Sequence, residues 1–308
     1  MLVCINMEQT SETRKKRVSF SQYAMYSRCP NAWRLNYLEG KRIYDPSLNT
    51  CFGTAIHYAL QTYIEKLYKE SFEVADALNL NKLFKEKFDE ELIKSKEQNK
   101  NFTYTDDEYT EFFYNSEDIL RAFLNTSTRI KHFPNNKYEF IGTELPLDAK
   151  LRNNVEFVAY VDLILKEKST GKIKIYDFKT STLGWRDSKK EDPATYEQIL
   201  LYKAFYSKKF GVPLNDIEVE FFILKRKLYE NVDFPQSHIQ LYRPTHTHAA
   251  VAETLNSFSN FINECFTVKG EYNVNGKYPK IPGKNKKNCT YCPHKKVNCD
   301  AKPDKLDF

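Results

Sequence analysis

Residues 155–181 read VEFVAYVDLILKEKSTGKIKIYDFKTS. Two runs, Val155–Lys166 and Lys172–Lys179, alternate apolar and polar residues with the period of two expected of half-buried strands. Ser169-Thr170-Gly171 between them carries turn chemistry, so the spacing predicts an antiparallel hairpin. Asp162 falls late in the first strand, and Asp177 and Lys179 end the second. Asp177 and Lys179 are two residues apart and share a face of their strand. Asp162 can lie across from them. Two carboxylates converging beside a lysine can hold a hard divalent cation while the ammonium orients a hydroxide. At a phosphodiester, whose negative charge repels hydroxide, that combination addresses the main electrostatic barrier. The same trio would also form a plain cross-strand ion pair.

Around the hairpin the pattern is mixed. Glu139–Leu147, Ile217–Lys227 and a segment near His238–Tyr242 read as further strands, and Ala194–Lys209 and Ala249–Phe266 as helices. Strands and helices interleaved in this way predict an α/β domain, a sheet packed against helices. The region before the sheet reads as mostly helical. In FSQYAMYSRCPNAWRLNYLEG, Tyr23, Tyr26, Trp33 and Tyr37 fall at roughly helical spacing, with Ser19 or Ser21 as N-cap and Gly40 as stop. GTAIHYALQTYIEKLYKE places Ile56, Leu60, Tyr63, Ile64 and Leu67 on one helix face. Two charged amphipathic stretches follow, Leu80–Lys96 and Glu108–Lys131, which carry no recognisable motif and are expected to be an insertion facing DNA or a partner.

Other residues could join the chemistry. His57 sits near an apolar helix face, where a hydrogen-bonded structural role competes with metal ligation. Gln198 and Tyr202 are one helical turn apart and could reach a phosphate or a catalytic lysine. The chain ends in NCTYCPHKKVNC, which supplies Cys289, Cys292 and Cys299, one thiol short of a tetrahedral zinc or cubane iron–sulfur site. Cys29 is the candidate fourth, because its Cys-Pro step matches Cys292-Pro293. Cys4 lies close to the N-terminus, and Cys51 and Cys265 sit among apolar neighbours where a buried free thiol is the plain reading. Ligation from both ends of the chain would close a long loop, which calls for a strong bond.

The bulk properties bound these readings. The chain has 308 residues, 41% of them hydrophobic, and seven cysteines. Its length suits one large domain or two modest ones. Mean hydropathy is -0.64. With no apolar run near ~18 residues, a membrane span is not expected. Without a visible secretory signal the odd number of thiols predicts a reduced interior, hence a cytoplasmic protein or a viral one acting in the host cytoplasm. The net charge of +6, with basic clusters at Arg14–Arg17, Lys225–Lys227 and Lys284–Lys287, favours a polyanionic partner, though a solvated lysine-rich surface would look the same. No P-loop is present.

Taken in order, YSRCP, GTAIH, VDLIL, YDFKTS, QILLY and C-x2-C-x6-C resemble the PD-(D/E)XK nuclease superfamily from about Ser19 to Cys299. Within it the chain is similar to the RecB-like iron–sulfur branch, which includes CRISPR-associated RecB-like exonucleases and the AddB nuclease domain. The resemblance implies a restriction-endonuclease-like mixed sheet flanked by helices, with a helical N-terminal region packed against a cysteine-bearing C-terminal segment. It implies a flexible basic terminus over 1–18, one nuclease domain over 19–303 and a short tail over 304–308. That domain would comprise a helical region over 19–137, a catalytic sheet core over 138–245 and a C-terminal helix and cysteine cluster over 246–303.

By the same resemblance His57, Asp162, Asp177 and the Phe178 carbonyl would hold Mg²⁺ or Mn²⁺, and Lys179 would position the attacking water. Gln198 and Tyr202 would support the site, and Glu144 would stand just outside it. Cys29, Cys289, Cys292 and Cys299 would hold a [4Fe–4S] cluster, with zinc as the alternative. The implied activity is a DNA exonuclease of repair, recombination or DNA processing, acting alone or with a helicase or recombination partner. An endonuclease of the same fold and a catalytically silent DNA-binding subunit are the competing readings. Two departures stand out: Ala159 where the family commonly has glycine before the hairpin aspartate, and a last cysteine gap of six residues where five is common.

Overall fold

A computed structural model describes residues 16–295 and 297–299. Cys4, Arg14, Lys15 and the expected tail lie outside the described residues. Six strands form one mixed sheet: β1 Arg17–Val18, β2 Tyr138–Lys150, β3 Glu156–Glu167, β4 Ile173–Ser181, β5 Ile217–Lys225 and β6 Ile239–Tyr242. The α-helices among the described residues are α1 Phe20–Arg28, α2 Pro30–Trp33, α3 Leu48–Lys69, α4 Phe72–Asp76, α5 Leu80–Gln98, α6 Asp106–Leu124, α7 Thr126–His132, α8 Asp187–Lys190, α9 Pro193–Phe210 and α10 His248–Cys265.

The hairpin forms as its pattern requires. Gly171 takes φ +71°, and its amide donates to the Glu167 carbonyl at 2.8 Å, turning β3 into β4. β2 pairs antiparallel along nearly the whole of β3, while β4 pairs with β3 only from Leu163 to Lys166. The free half of that edge is taken at its far end by β1, parallel to Glu156 and Phe157, so Arg17 and Val18 of the N-terminal segment belong to the sheet. β4 and β5 run parallel, which demands a crossover, and α9 supplies it.

Alternation along the strands gives the sheet two buried faces. Val161, Ile164, Ile173, Ile175 and Phe221 pack with α1, α9 and α10. Leu163, Leu165, Tyr176, Phe178 and Phe222 pack with α3, α5 and α6. Phe84 and Phe88 on α5 are fully buried against Phe52 of α3. The stretch expected to be an insertion therefore builds a core layer on its apolar side. It also breaks at Asn125, whose side chain caps α7, so one expected helix becomes two.

The first helical stretch is likewise interrupted. Ser19 caps α1, but Cys29 is extended, as the residue before a proline tends to be, and Pro30 opens α2. Trp33 is fully buried and stacks on Tyr278, which fastens this region to the chain that follows α10.

Candidate active site

The β3–β4 pairing stops at Leu163 opposite Tyr176, so the next residues, Asp162 and Asp177, sit where the two strands part. Asp162 Oδ2 bridges the gap by accepting the Phe178 amide hydrogen at 2.6 Å. Lys179 Nζ donates to Gln198 Oε1 at 2.9 Å, and Gln198 Nε2 donates to Tyr202 Oη at 2.6 Å. The Lys179 ammonium also lies 2.7 Å from Asp177 Oδ2. That ion pair is the partner of Oδ2, which is otherwise buried without a donor. A buried carboxylate oxygen in that state suits a cation.

Helix α3 closes the site from the other side. His57 Nδ1 is 3.9 Å from Asp162 Oδ1. One turn along, Gln61 Nε2 donates to Glu144 Oε1 at 2.8 Å and to the Asp162 carbonyl at 3.2 Å. In β2, Thr143 pairs with Leu163 and Leu145 with Val161, which sets Glu144 opposite Asp162. Glu144 takes φ +46°, a conformation that costs a non-glycine residue of order 1–3 kcal/mol and tends to persist at functional sites. Helix α3 lies against β4 at Gly53, where a Cβ would stand 3.4 Å from Thr180 Oγ1.

Burial dominates the electrostatics. It raises the Asp162 carboxyl to about 7, opposed by the Lys179 charge and the Phe178 amide. It raises Asp177 to about 6, with Lys179 again opposing and Asp162 adding repulsion. His57 is pushed down to about 4, by burial first and then by Lys179. Burial also raises the Tyr202 hydroxyl above its ordinary range. Two buried carboxylates facing each other are unfavourable without a positive partner, and one lysine compensates them incompletely.

The structure brings the predicted residues His57, Asp162, Asp177, Lys179, Gln198 and Tyr202, together with Glu144, around this gap. No three His, Cys, Asp or Glu side chains among the described residues already form a metal cage. The donor set nonetheless fits a hard cation, being mostly carboxylate oxygen. Gln61 and the amide role of Phe178 escaped the sequence reading. Gln61 is four residues beyond His57 and so shares its helix face, a spacing that could have pointed to it.

The four expected cysteines, Cys29, Cys289, Cys292 and Cys299, line one small cavity with Asn31, Ile281 and His294. Its free space is about 30 Å³. Ile281 donates its amide to Cys29 Sγ at 3.4 Å, and Asn31 Nδ2 lies 3.8 Å from Cys299 Sγ. The Cys289 thiol is raised by burial and then by its three sulfur neighbours, a repulsion that a bound cation would relieve. Cys51 and Cys265 are buried free thiols, as read from the sequence.

The basic clusters behave less uniformly than expected. Arg226 is buried and stacks over Phe112 at 4.1 Å, and Lys227 pairs with Glu111 at 2.7 Å, so Lys225–Lys227 is largely structural rather than a cationic surface. Lys287, by contrast, is exposed beside the cavity that contains Lys179 and Gln198. No helix among the described residues is long and apolar enough to cross a membrane.

No curated protein matches the chain. Among solved structures it is similar to a candidate exonuclease from Eubacterium rectale, with 13% identity and a TM-score of 0.50, over 98% of this chain and 96% of that one. At that identity the likeness speaks to the fold alone. A second solved protein, SSO0001, shares 13% identity over 92% of this chain and 97% of its own, with a TM-score of 0.32, too low to carry an argument. A family model of the PD-(D/E)XK nuclease superfamily matches residues 17–299, the span that contains every residue of the site described above. The chain belongs to the PD-(D/E)XK nuclease superfamily.

Proposed function

We propose that the chain is a divalent-metal-dependent DNA exonuclease of the RecB-like branch, in which Asp162, Asp177, His57 and the Phe178 carbonyl hold Mg²⁺ or Mn²⁺. The observation that carries this is the convergence of the Asp177 carboxylate, 2% exposed, with Asp162 and His57 beside Lys179 where β3 and β4 part. A cation bound there would supply positive charge to a scissile phosphate and ease ionisation of a water.

The protein's own groups would do the rest. Lys179, anchored by Gln198 and Asp177, would point its remaining N–H toward the attacking water and offset charge developing on the phosphate. Tyr202 accepts from the Gln198 amide, fixing which end of that side chain faces the lysine. Gln61 would hold Glu144 as an acceptor beside the site while restraining the Asp162 backbone.

We further assign the Cys29, Cys289, Cys292 and Cys299 set to a structural metal group, a [4Fe–4S] cluster by resemblance with zinc as the alternative. It lies beside the cavity that contains Lys179 but shares no ligand with the carboxylate site. DNA repair, recombination or processing is the context this activity would serve. The test is cleavage of end-labelled linear single- and double-stranded DNA, with a closed circle as control, in Mg²⁺, Mn²⁺ or EDTA. Linear DNA should be degraded only with metal, and Lys179→Ala should be inactive. Cleavage of the circle would move the assignment to an endonuclease, and salt-sensitive binding without products would move it to a silent DNA-binding subunit.

A further inference from the structure

Helix α1 ends at Arg28, and the segment that carries the last three cysteines lies against that end. Asn288 Nδ2 donates to the Arg28 carbonyl at 2.9 Å and to the Ile281 carbonyl at 3.1 Å. Between Cys289 and Cys292 the same segment presents Tyr291, 92% exposed, the barest large apolar side chain among the described residues. Tyr291 stands where two grooves meet. One, of about 450 Å³, reaches Lys179 and Gln198, and it is lined by the cations of Arg28 and Lys179 and by no carboxylate. The other, of about 1030 Å³, extends past Lys189 and Lys287. Arg28, Ala194, Asn288 and Tyr291 line both, so the two grooves form one path leading away from Lys179.

Cations cluster along this path. The Lys189 ammonium is held below its ordinary range, first by partial burial, with Asp192 opposing and the Arg28, Lys287 and Lys179 charges adding to the effect. Of the carboxylates in the larger groove, Asp192 is 3.6 Å from Lys287, Glu197 is buried and Glu253 belongs to the α10 wall. Like charges gathered in this way repel one another, and a row of phosphates relieves the repulsion. A bare aromatic ring beside such a row is a platform for a base. In a duplex the base faces are covered by their neighbours, so an unpaired strand is the form that can use the ring. We propose that the path from Lys179 past Tyr291 to Lys189 and Lys287 holds a single DNA strand, with one base stacked on Tyr291 and phosphates on Arg28 and Lys189. This inference rests on the reading of the chain as a DNA nuclease and adds that the substrate is unpaired beside the site.

The experiment titrates the full chain in EDTA with end-labelled single strands, read by fluorescence anisotropy. Tyr291→Ala should weaken binding roughly 5- to 150-fold, the range covered by loss of one stacked base, without changing the salt dependence. Tyr291→Trp should restore affinity. Arg28→Gln should weaken binding and also reduce the slope of log affinity against log salt by about 0.7. An abasic residue walked along the strand should cost wild type affinity at one position and cost Tyr291→Ala nothing there. A Tyr291→Ala variant that binds single strands as wild type does, or that loses blunt duplex equally, overturns the platform, and metal-dependent cleavage of linear DNA by wild type would then leave the nuclease reading standing. A wild type that binds single strands through Tyr291 but yields no products in Mg²⁺ or Mn²⁺ supports this inference and overturns the nuclease reading. A wild type that binds no DNA overturns both.

Discussion

Asp162 and Phe178 are joined across the opening between β3 and β4, the carboxylate accepting the backbone N–H at 2.6 Å where ladder pairing has already ended. The site therefore does not sit on a regular sheet surface. It sits in a fork, and the aspartate that would hold metal also ties the two prongs.

That double role predicts how Asp162→Asn behaves. Asparagine can still accept the Phe178 amide, so the fork should stay closed, while one of two mutually repelling buried carboxylates is removed. Cleavage should be lost. In EDTA the melting temperature should rise by about 2–4 °C, the scale of ~1 kcal/mol in a domain of similar or somewhat smaller size. Differential scanning calorimetry of metal-free protein settles it, and a lower melting temperature would show that the fork needs the charge itself.

Gln198 is expected to act by positioning rather than by contact with DNA. Its Oε1 holds Lys179 at 2.9 Å, and Tyr202 holds its amide end. Gln198→Leu should lower the cleavage rate roughly a hundredfold with little change in DNA affinity, since small misplacements of a reacting group cost about that much. Tyr202→Phe should cost less, because the Gln198 amide keeps its orientation through the lysine. Single-turnover rates and DNA binding in EDTA separate the two effects, and equal losses in both variants would count against the chain of contacts.

Gly53 distinguishes close packing from helix propensity. A methyl at 3.4 Å from Thr180 Oγ1 is an ordinary contact, so Gly53→Ala should be neutral or stabilise by up to ~1 kcal/mol through helix propensity. Gly53→Val should overpack the α3–β4 contact, cost about 1–3 kcal/mol and reduce cleavage by displacing His57. Urea denaturation of both variants measures this, and a tolerated valine would show that α3 can move without harm.

How much of this was legible follows from the range of each interaction. The hairpin is local: period-two alternation, a glycine able to take positive φ, and the strand-end placement of Asp177 and Lys179 all lie within one short segment. Gln198 to Tyr202 is likewise one turn of one helix. By contrast, Glu144 meets Gln61 only because β2 lies against β3 and α3 crosses both, which no spacing in either segment encodes. The charged stretch after Leu80 displayed an apolar face, but a face does not say what it docks on. In the fold it covers α3, and Phe88→Ala should therefore cost about 3–5 kcal/mol, whereas a removable insertion would lose almost nothing.

The last prediction concerns Lys203, which lies away from the site on α9. It is 2% exposed, its Nζ donates to the His246 carbonyl at 2.9 Å, and burial pushes its pKa down from 10.5 to about 8, with Glu218 opposing. Below pH 8 folded and unfolded chains both carry the proton, and the fold bears the full cost of a buried ammonium. Between pH 8 and 10.5 the folded chain releases the proton while the unfolded chain keeps it, so this group makes stability rise with pH, by at most about 1.4 kcal/mol per unit. Above 10.5 its contribution is flat. Lys203→Met lacks the titration, so the stability of wild type minus that of the variant should climb across this window. Urea unfolding at intervals from pH 7 to about 10.5 measures the difference, and a flat or falling difference would mean that the ammonium is solvated in the folded protein after all.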